Sequence, residues 1–168
     1  MDWAIVVPRD SPGGPNIGRN LPPPSTVLQA LTQTNGQEDF DYSTEPNETI
    51  SSLGVLSEGD WALKIGRTTR ISTSNYHGIK ANMRWEHNSP DVKCWEELTD
   101  EYTVIAFHAQ LMGLGGDSGS LVMNQKKEWV GMVTAAQTTS EESIYYTRAQ
   151  DLIDDIKDRT NCIISLPV

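Results

Sequence analysis

The sequence predicts an all-β fold, a six-stranded antiparallel β-barrel with a C-terminal α-helix, preceded by an irregular N-terminal extension. Three observations support this fold class. Short apolar runs alternate with turn residues from position 60 onward, as in antiparallel barrels and sandwiches. Apolar residues recur at helical spacing near the C-terminus. Clustered proline and glycine, followed by an acidic stretch, make residues 8–58 unsuited to a helix or a central strand.

We divide the chain into an N-terminal part, residues 1–59, and a barrel with its terminal helix, residues 60–168. Residues 2–7 form a short apolar run of strand type. From there to residue 58 we expect an irregular connection that runs over the surface. Such a connection is unusually long for a compact domain.

The second part contains six predicted strands and one helix. Each strand combines alternating polarity or a short apolar run with flanking turn residues. The predicted strands are residues 61–66, 77–85, 102–110, 120–124, 129–136 and 143–147. Leu152, Ile153 and Ile156 then recur at helical spacing and predict a helix over residues 149–161. We expect the six strands to close into one barrel that the helix caps.

Length and charge limit the classes of function. A chain of 168 residues suits one domain with one sizeable core. Its net charge of −10, from 23 acidic and 13 basic residues, would repel nucleic acid. The sequence has neither a run of about 20 apolar residues that could span a membrane nor a secretory pattern at its start. We therefore expect an intracellular protein without nucleic-acid or membrane partners.

One glycine-rich segment, residues 114–122, carries a chemical signature, Gly-Gly-Asp-Ser-Gly-Ser followed by apolar residues. A serine hydroxyl is a weak nucleophile, so it must be held rigidly beside groups that stabilise an oxyanion. Glycines at positions 116 and 119 remove the Cβ atoms that would block a tight turn. The turn would direct the amides of Gly116 and Ser118 into one oxyanion hole, with Asp117 anchoring the loop from behind. A polar hairpin turn without chemistry is the alternative for so short a motif.

Several motifs, in this order, resemble the second barrel of the trypsin- and chymotrypsin-like serine proteases. Gly-Asp-Ser-Gly-Ser is followed by an aliphatic strand and by Trp-Val-Gly-Met-Val-Thr at residues 129–134. Tyr-Thr-Arg at residues 146–148 resembles the start of the family's C-terminal helix, and Lys-Ile-Gly-Arg-Thr-Thr at residues 64–69 resembles a strand of its fungal and bacterial members. The resemblance covers about residues 60–168. It implies a chymotrypsin-like Greek-key barrel and an endopeptidase that acts on peptides or proteins through an acyl-enzyme at Ser118, without a cofactor.

The resemblance also assigns substrate-binding positions. Three residues match the family's strand that hydrogen-bonds the substrate backbone: Thr134, Ala135 and Ala136. Met112 lies six residues before Ser118, where members that cleave after Lys or Arg carry an aspartate. We therefore expect the pocket to accept neutral, apolar side chains. Arg70 and Ser74 stand where the family usually has glycine, so the turn after this strand is expected to differ.

The remaining members of a catalytic triad are less evident. The first residues resemble the family's aspartate strand, which would make Asp2 the catalytic aspartate; a solvated acid near a frayed terminus is the alternative. The matching histidine would precede Asp2. We interpret His77, His87 and His108 as structural rather than catalytic. Because loss of the general base costs several orders of magnitude in rate, this chain alone is expected to hydrolyse peptides negligibly.

No metal or cofactor site is expected. The three histidines lack ligand spacing, no phosphate-binding glycine loop is present, and Cys94 and Cys162 are expected to be free thiols. Two alternatives to a peptidase stay open: an inactive relative that serves as a binding module, and an enzyme that uses the same pocket for other chemistry. Self-association is a further expectation, because a lone second barrel exposes the surface that would meet a first barrel.

Overall fold

The computed structural model describes residues 42–45, 48–84, 98–106, 111–137 and 143–166. These residues form one seven-stranded antiparallel sheet and a C-terminal helix. The elements are β1 (Trp61–Gly66), β2 (Arg70–Asn75), β3 (Lys80–Arg84), β4 (Leu98–Ile105), β5 (Leu121–Asn124), β6 (Trp129–Gln137), β7 (Ser143–Arg148) and α1 (Ala149–Thr160). No helix within the described ranges is long and apolar enough to cross a bilayer. The predicted mostly-β fold with a terminal helix is confirmed.

The strands follow the order β2-β1-β5-β6-β7-β4-β3. Strands β1, β5, β6 and β7 and helix α1 match their predicted bounds to within one residue at either end. Strand β3 is shorter than predicted, and β4 begins four residues earlier, at Leu98, because it pairs along β3 from Lys80↔Tyr102 to Arg84↔Leu98. The last residues of the predicted third strand, 107–110, and Trp85 lie outside the described residues.

Strand β2 raises the strand number in residues 60–148 to seven, against the predicted six. Its sequence, Arg-Ile-Ser-Thr-Ser-Asn, has one apolar residue and no hydrophobic alternation. Nevertheless Ser72 and Ser74 are buried. Their hydroxyls donate hydrogen bonds to backbone carbonyls, Ser72 Oγ to Met112 O at 2.9 Å and Ser74 Oγ to Ile105 O. Paired hydroxyls can be buried at little cost, so burial here needs no apolar side chains.

The two faces of the sheet pack against different apolar clusters. The inner cluster consists of Ala62, Tyr76, Val104, Met112, Val122, Val130, Val133, Ile144 and Tyr146. The outer cluster, which includes residues of α1, consists of Tyr42, Ile50, Trp61, Leu63, Met123, Trp129, Ala149, Leu152 and Ile156. Alternation along β1 explains the division, because successive side chains of a strand point to opposite faces.

The segment before β1 packs on the sheet. Tyr42 and Ile50 are each 3% exposed within the outer cluster. Leu53 forms a parallel bridge with Trp129 at the start of β6, and Lys127 pairs with Glu48 at 2.5 Å. The described part of this segment, residues 42–45 and 48–56, therefore contributes to the same core as the strands of the sheet.

Candidate active site around Ser118

The nucleophile loop, residues 115–119, leads directly into β5. Two tight turns shape it: the amide of Asp117 donates to Leu114 O at 3.0 Å, and the amide of Ser120 donates to Asp117 O at 3.0 Å. The loop then joins β6, because the amide of Gly119 donates to Val133 O at 2.8 Å. Ser118 is thus held at the end of the sheet where β5 begins.

Asp117 anchors this loop from below and is fully buried. Its carboxylate accepts hydrogen bonds from the amide of Thr68 at 2.7 Å, the hydroxyl of Thr69 at 2.7 Å and the amide of Leu114 at 3.1 Å. Lys64 Nζ, also fully buried, lies 3.2 Å from the carboxylate and donates to Thr69 Oγ1 at 2.6 Å. The sequence-based expectation that Asp117 sits behind the loop agrees with this placement.

The titration of Asp117 follows from these contacts. Burial by itself raises the pKa of the carboxyl group, but the hydrogen bonds from Thr69, Thr68 and Leu114 and the charge of Lys64 hold the pKa well below its ordinary value. Burial in turn lowers the pKa of Lys64, against the opposing effect of Asp117. A buried ion pair is tolerated where additional hydrogen bonds satisfy both charges, and both partners here have them.

The backbone at Gly66, the last residue of β1, lies very close to the carboxylate of Asp117. A Cβ added at Gly66 would collide with the carboxylate of Asp117 and would lie 2.6 Å from Lys64 Nζ. Only glycine leaves the space in which the carboxylate lies beneath the end of β1. From the neighbouring turn, Thr68 Oγ1 donates to Gly115 O at 2.9 Å, which fixes the β1–β2 turn against the nucleophile loop.

The exposed side of the loop carries Ser118. Within the described residues its Oγ makes one long contact, 3.4 Å to Thr134 O. Gly116 and Gly119 adopt φ angles of 97° and 84°, a region that favours glycine. No acceptor within the described part of the chain bonds the amides of Gly116 or Ser118. The exposed hydroxyl therefore lies on a loop with two amide donors that have no partner among the described residues.

The three predicted substrate-binding residues of β6 are half-buried, and the carbonyl of Thr134 contacts the hydroxyl of Ser118. The ladder to β7 shifts register between Val133 and Ala135, so Thr134 is bulged, and its hydroxyl donates to Tyr145 O at 3.1 Å. The ladder to β5 reaches Met132, and the Gly119–Val133 bond extends it by one position. Beyond that point residues 134–137 pair with β7 alone, and no other described strand bonds their second backbone edge.

No protein-family model matches this chain, and no curated protein is similar to it. Residue chemistry and geometry therefore carry the functional assignment.

Other predicted site residues lie apart from Ser118 or outside the described ranges. Met112 is fully buried in the inner cluster and presents no surface to a substrate. His77 is exposed, as predicted, but it follows β2 near Glu58, at the end of β1 opposite to the nucleophile loop. A strand of six residues spans about 20 Å, so His77 cannot contact the hydroxyl. Asp2, His87 and His108 lie outside the described residues. Of the two cysteines, Cys162 is a free, exposed thiol, and Cys94 is not among the described residues.

Sequence reasoning missed two residues at the site, Lys64 and Arg67. Lys64 shares the inner face of β1 with Ala62 and contacts Asp117 across 53 positions of sequence. A lysine between apolar neighbours on an inward-facing position was the available signal, because a buried ammonium group requires a carboxylate partner. Arg67 gave no such signal, because exposed turn residues are commonly charged.

A groove of about 870 Å³ lies at the far end of β5. Its lining includes Leu53, Val55, Asn124, Lys126 and Arg148. The length of β5 separates it from Ser118, so this groove is not the space in front of the nucleophile.

Proposed function

We propose that this chain is the nucleophile-bearing part of a serine hydrolase of the trypsin-like type, which cleaves peptide bonds through an acyl-enzyme at Ser118. One observation carries the proposal: the exposed hydroxyl of Ser118 lies on a loop with two amide donors that no described residue bonds, and a buried ion pair anchors that loop from below. Rigid support and preorganised donors are what nucleophilic catalysis by serine requires.

The proposed chemistry follows the common sequence of acyl transfer. Ser118 Oγ attacks the carbonyl carbon of the scissile bond, and the amides of Gly116 and Ser118 stabilise the resulting oxyanion. A general base outside the described residues accepts the Oγ proton and transfers it to the leaving amine. Water then hydrolyses the ester. The free backbone edge of residues 134–137 suits an extended substrate, which would add to β6 as a further strand.

The fold proposed with this function is a Greek-key barrel of the chymotrypsin type. The neighbours of β1 are β2 and β5, and β4 lies between β3 and β7. Ser74 Oγ donates to the carbonyl of Ile105, the last residue of β4, and Ser72 Oγ donates to the carbonyl of Met112, beyond that strand. These bonds support a barrel in which β2 lies next to β4 and which closes without β3. Strand β3 would then be an addition that extends β4 at the rim.

We further propose that the substrate side chain before the scissile bond is neutral and apolar. Asp117 is the single acid in residues 111–123 and it is enclosed with Lys64, and residues 129–137 contain no charge. A substrate lysine or arginine would therefore find no counter-charge in these segments.

A fluorophosphonate probe tests the nucleophile. We expect slow labelling of the chain alone, since His77, the histidine within the described residues, lies at the opposite end of β1 from Ser118, and faster labelling when imidazole is added in excess or a histidine-bearing first barrel is supplied. Labelling should be abolished by Ser118→Ala and retained by Ser120→Ala, the matched control two residues away. Labelling that stays absent with added imidazole and with the first barrel, or that survives Ser118→Ala, would refute the proposal.

A binding module without hydrolysis is the second candidate. It is favoured by the position of His77, the one histidine within the described residues, at the opposite end of β1. On this alternative, short peptides bind along β6 and are recovered intact, and Ser118 does not react with the probe under any of the conditions above.

A further inference from the structure

The turn between β1 and β2 places a cation beside the nucleophile loop. A Cβ added at Gly116 would lie 2.6 Å from Arg67 Nη2 and 2.9 Å from Thr68 Oγ1. The backbone of this turn is fixed, because the amide of Thr68 donates to Asp117 and its hydroxyl donates to Gly115. Arg67 is exposed. Its guanidinium therefore lies at the rim of the proposed oxyanion hole.

This cation has no counter-charge among the residues that the structure describes. Among the described residues no carboxylate forms an ion pair with Arg67. Residues 61–76 contain Lys64, Arg67 and Arg70 and no acidic residue. Lys64 is neutralised by Asp117, which leaves Arg67 and Arg70 as exposed positive charges. In a chain of net charge −10, the described β1–β2 turn therefore carries two exposed positive charges and no exposed negative one.

The sheet order determines on which side of Ser118 the cation lies. Strand β5 and its loop separate β1 from β6. The hydroxyl of Ser118 contacts Thr134 of β6, whereas Gly116 contacts the turn that follows β1. If the acyl part of a substrate pairs with the free edge of β6, its leaving part passes over the β1–β2 turn.

We propose that Arg67 is a specificity-determining residue that selects a negatively charged side chain in the leaving-group part of the substrate. The inference rests on the proposed function of Ser118 and adds a substrate class to it: peptides with an apolar residue before the scissile bond and Asp or Glu just after it. Arg67 is well suited to this task, because its planar guanidinium binds a carboxylate through two parallel hydrogen bonds.

Equilibrium binding tests the proposal without requiring turnover. Two mixtures of short fluorescein-labelled peptides are titrated by fluorescence anisotropy into the Ser118→Ala chain. Both mixtures have valine at a fixed central position; one continues with Glu-Glu and the other with Gln-Gln. We expect tighter binding of the Glu-Glu mixture by about threefold, the size typical of an exposed ion pair, and a smaller difference at high salt.

A matched pair of second substitutions identifies the cation responsible. Arg67→Gln should remove the preference for Glu-Glu, whereas Lys126→Gln, an equal change of charge at the far end of β5, should leave it intact. Equal binding of the two mixtures, no measurable binding of either, or an equal loss of preference in both variants would overturn the inference. Labelling of Ser118 by the fluorophosphonate probe, measured separately on Arg67→Gln, shows whether the proposed nucleophile function stands regardless of that outcome.

Discussion

On the buried side of the nucleophile loop Asp117 is fully enclosed and accepts hydrogen bonds from Lys64, the hydroxyl of Thr69 and three backbone amides. On the exposed side Ser118 Oγ makes one contact with the described residues, 3.4 Å to Thr134 O. The two residues are adjacent in sequence. The contrast shows how one loop combines a fixed backbone with an exposed hydroxyl, as the proposed function of Ser118 requires. Bonds on the buried side keep the amides of Gly116 and Ser118 in position without using those amides.

Asp117→Asn should have the largest effect on this arrangement. It leaves the ammonium group of Lys64 buried without a counter-charge, which typically costs about 3–5 kcal/mol. We expect a loss of this size in the free energy of unfolding, measured by urea denaturation, and weaker probe labelling of Ser118 in excess imidazole. Asp158→Asn on the exposed surface of α1 is the control, with an expected change within about 0.5 kcal/mol. A loss as small as the control's would mean that the ion pair does not anchor the loop.

The ion pair of Asp117 also determines how the free energy of unfolding changes at acidic pH. The pKa of Asp117 in the folded state lies below its ordinary value of 3.8, so the unfolded chain takes up this proton first as the pH falls. The stabilisation from Asp117 is therefore present above 3.8 and is lost progressively below it. The difference in unfolding free energy between the wild type and Asp117→Asn should narrow over that acidic range, and a difference that widens there would contradict the assignment.

Alanine substitutions at Gly116 and Gly119 should lower the stability less than Asp117→Asn does, and the two losses should differ from each other. Both glycines have positive φ, where an alanine costs about 1–2 kcal/mol. A Cβ at Gly119 meets no atom, whereas one at Gly116 meets Thr68 Oγ1 and would disturb its bond to Gly115, worth about 1 kcal/mol more. Thermal unfolding should therefore rank Gly116→Ala below Gly119→Ala in stability. The reverse order would contradict the contact between Thr68 and the loop.

The smallest expected effect is that of Ser72→Ala, which acts on the chain leading into the loop. The substitution leaves the carbonyl of Met112 without its donor at a buried position, a loss of about 1 kcal/mol. Urea denaturation measures it against Ser51→Ala, an exposed serine that should change nothing measurable. Identical curves for the two variants would exclude Ser72 as a support of this segment.

Much of the fold was predictable because it follows apolar patterns. Strands β1, β5, β6 and β7 and helix α1 contain runs whose alternation or helical spacing reflects burial on one or both faces. Strand β2 was not predictable in this way, since its buried serines are satisfied by carbonyls of Met112 and Ile105 that lie far away in sequence. Hydrogen bonds between distant residues leave no local pattern.

In the candidate site, too, some features follow from a local motif and others depend on residues that are distant in sequence. The positive φ of Gly116 and the buried anchor at Asp117 were predictable because one short motif contains both of them beside Ser118; the role of Ser118 as nucleophile stays a prediction. Met112 was expected at a substrate pocket but lies in the core, where its apolar side chain fills the inner cluster. Neither the partner of Asp117 nor the cation beside Gly116 could be located from the motif, because both come from the β1–β2 region some 50 residues earlier.

The bridge between Leu53 and Trp129 has a consequence for the order of folding. The amide of Trp129 donates to Ser52 O and its carbonyl accepts from Gly54, so this contact closes a long stretch of chain. Closing a long loop costs more conformational entropy than forming a hairpin, and contacts between distant residues generally form slowly. Hairpins such as β1–β2 and β6–β7 should therefore assemble first. We expect the segment before β1 to dock on a sheet that is already formed. Tyr42 and Ile50 would then be among the last residues of the outer cluster to become buried.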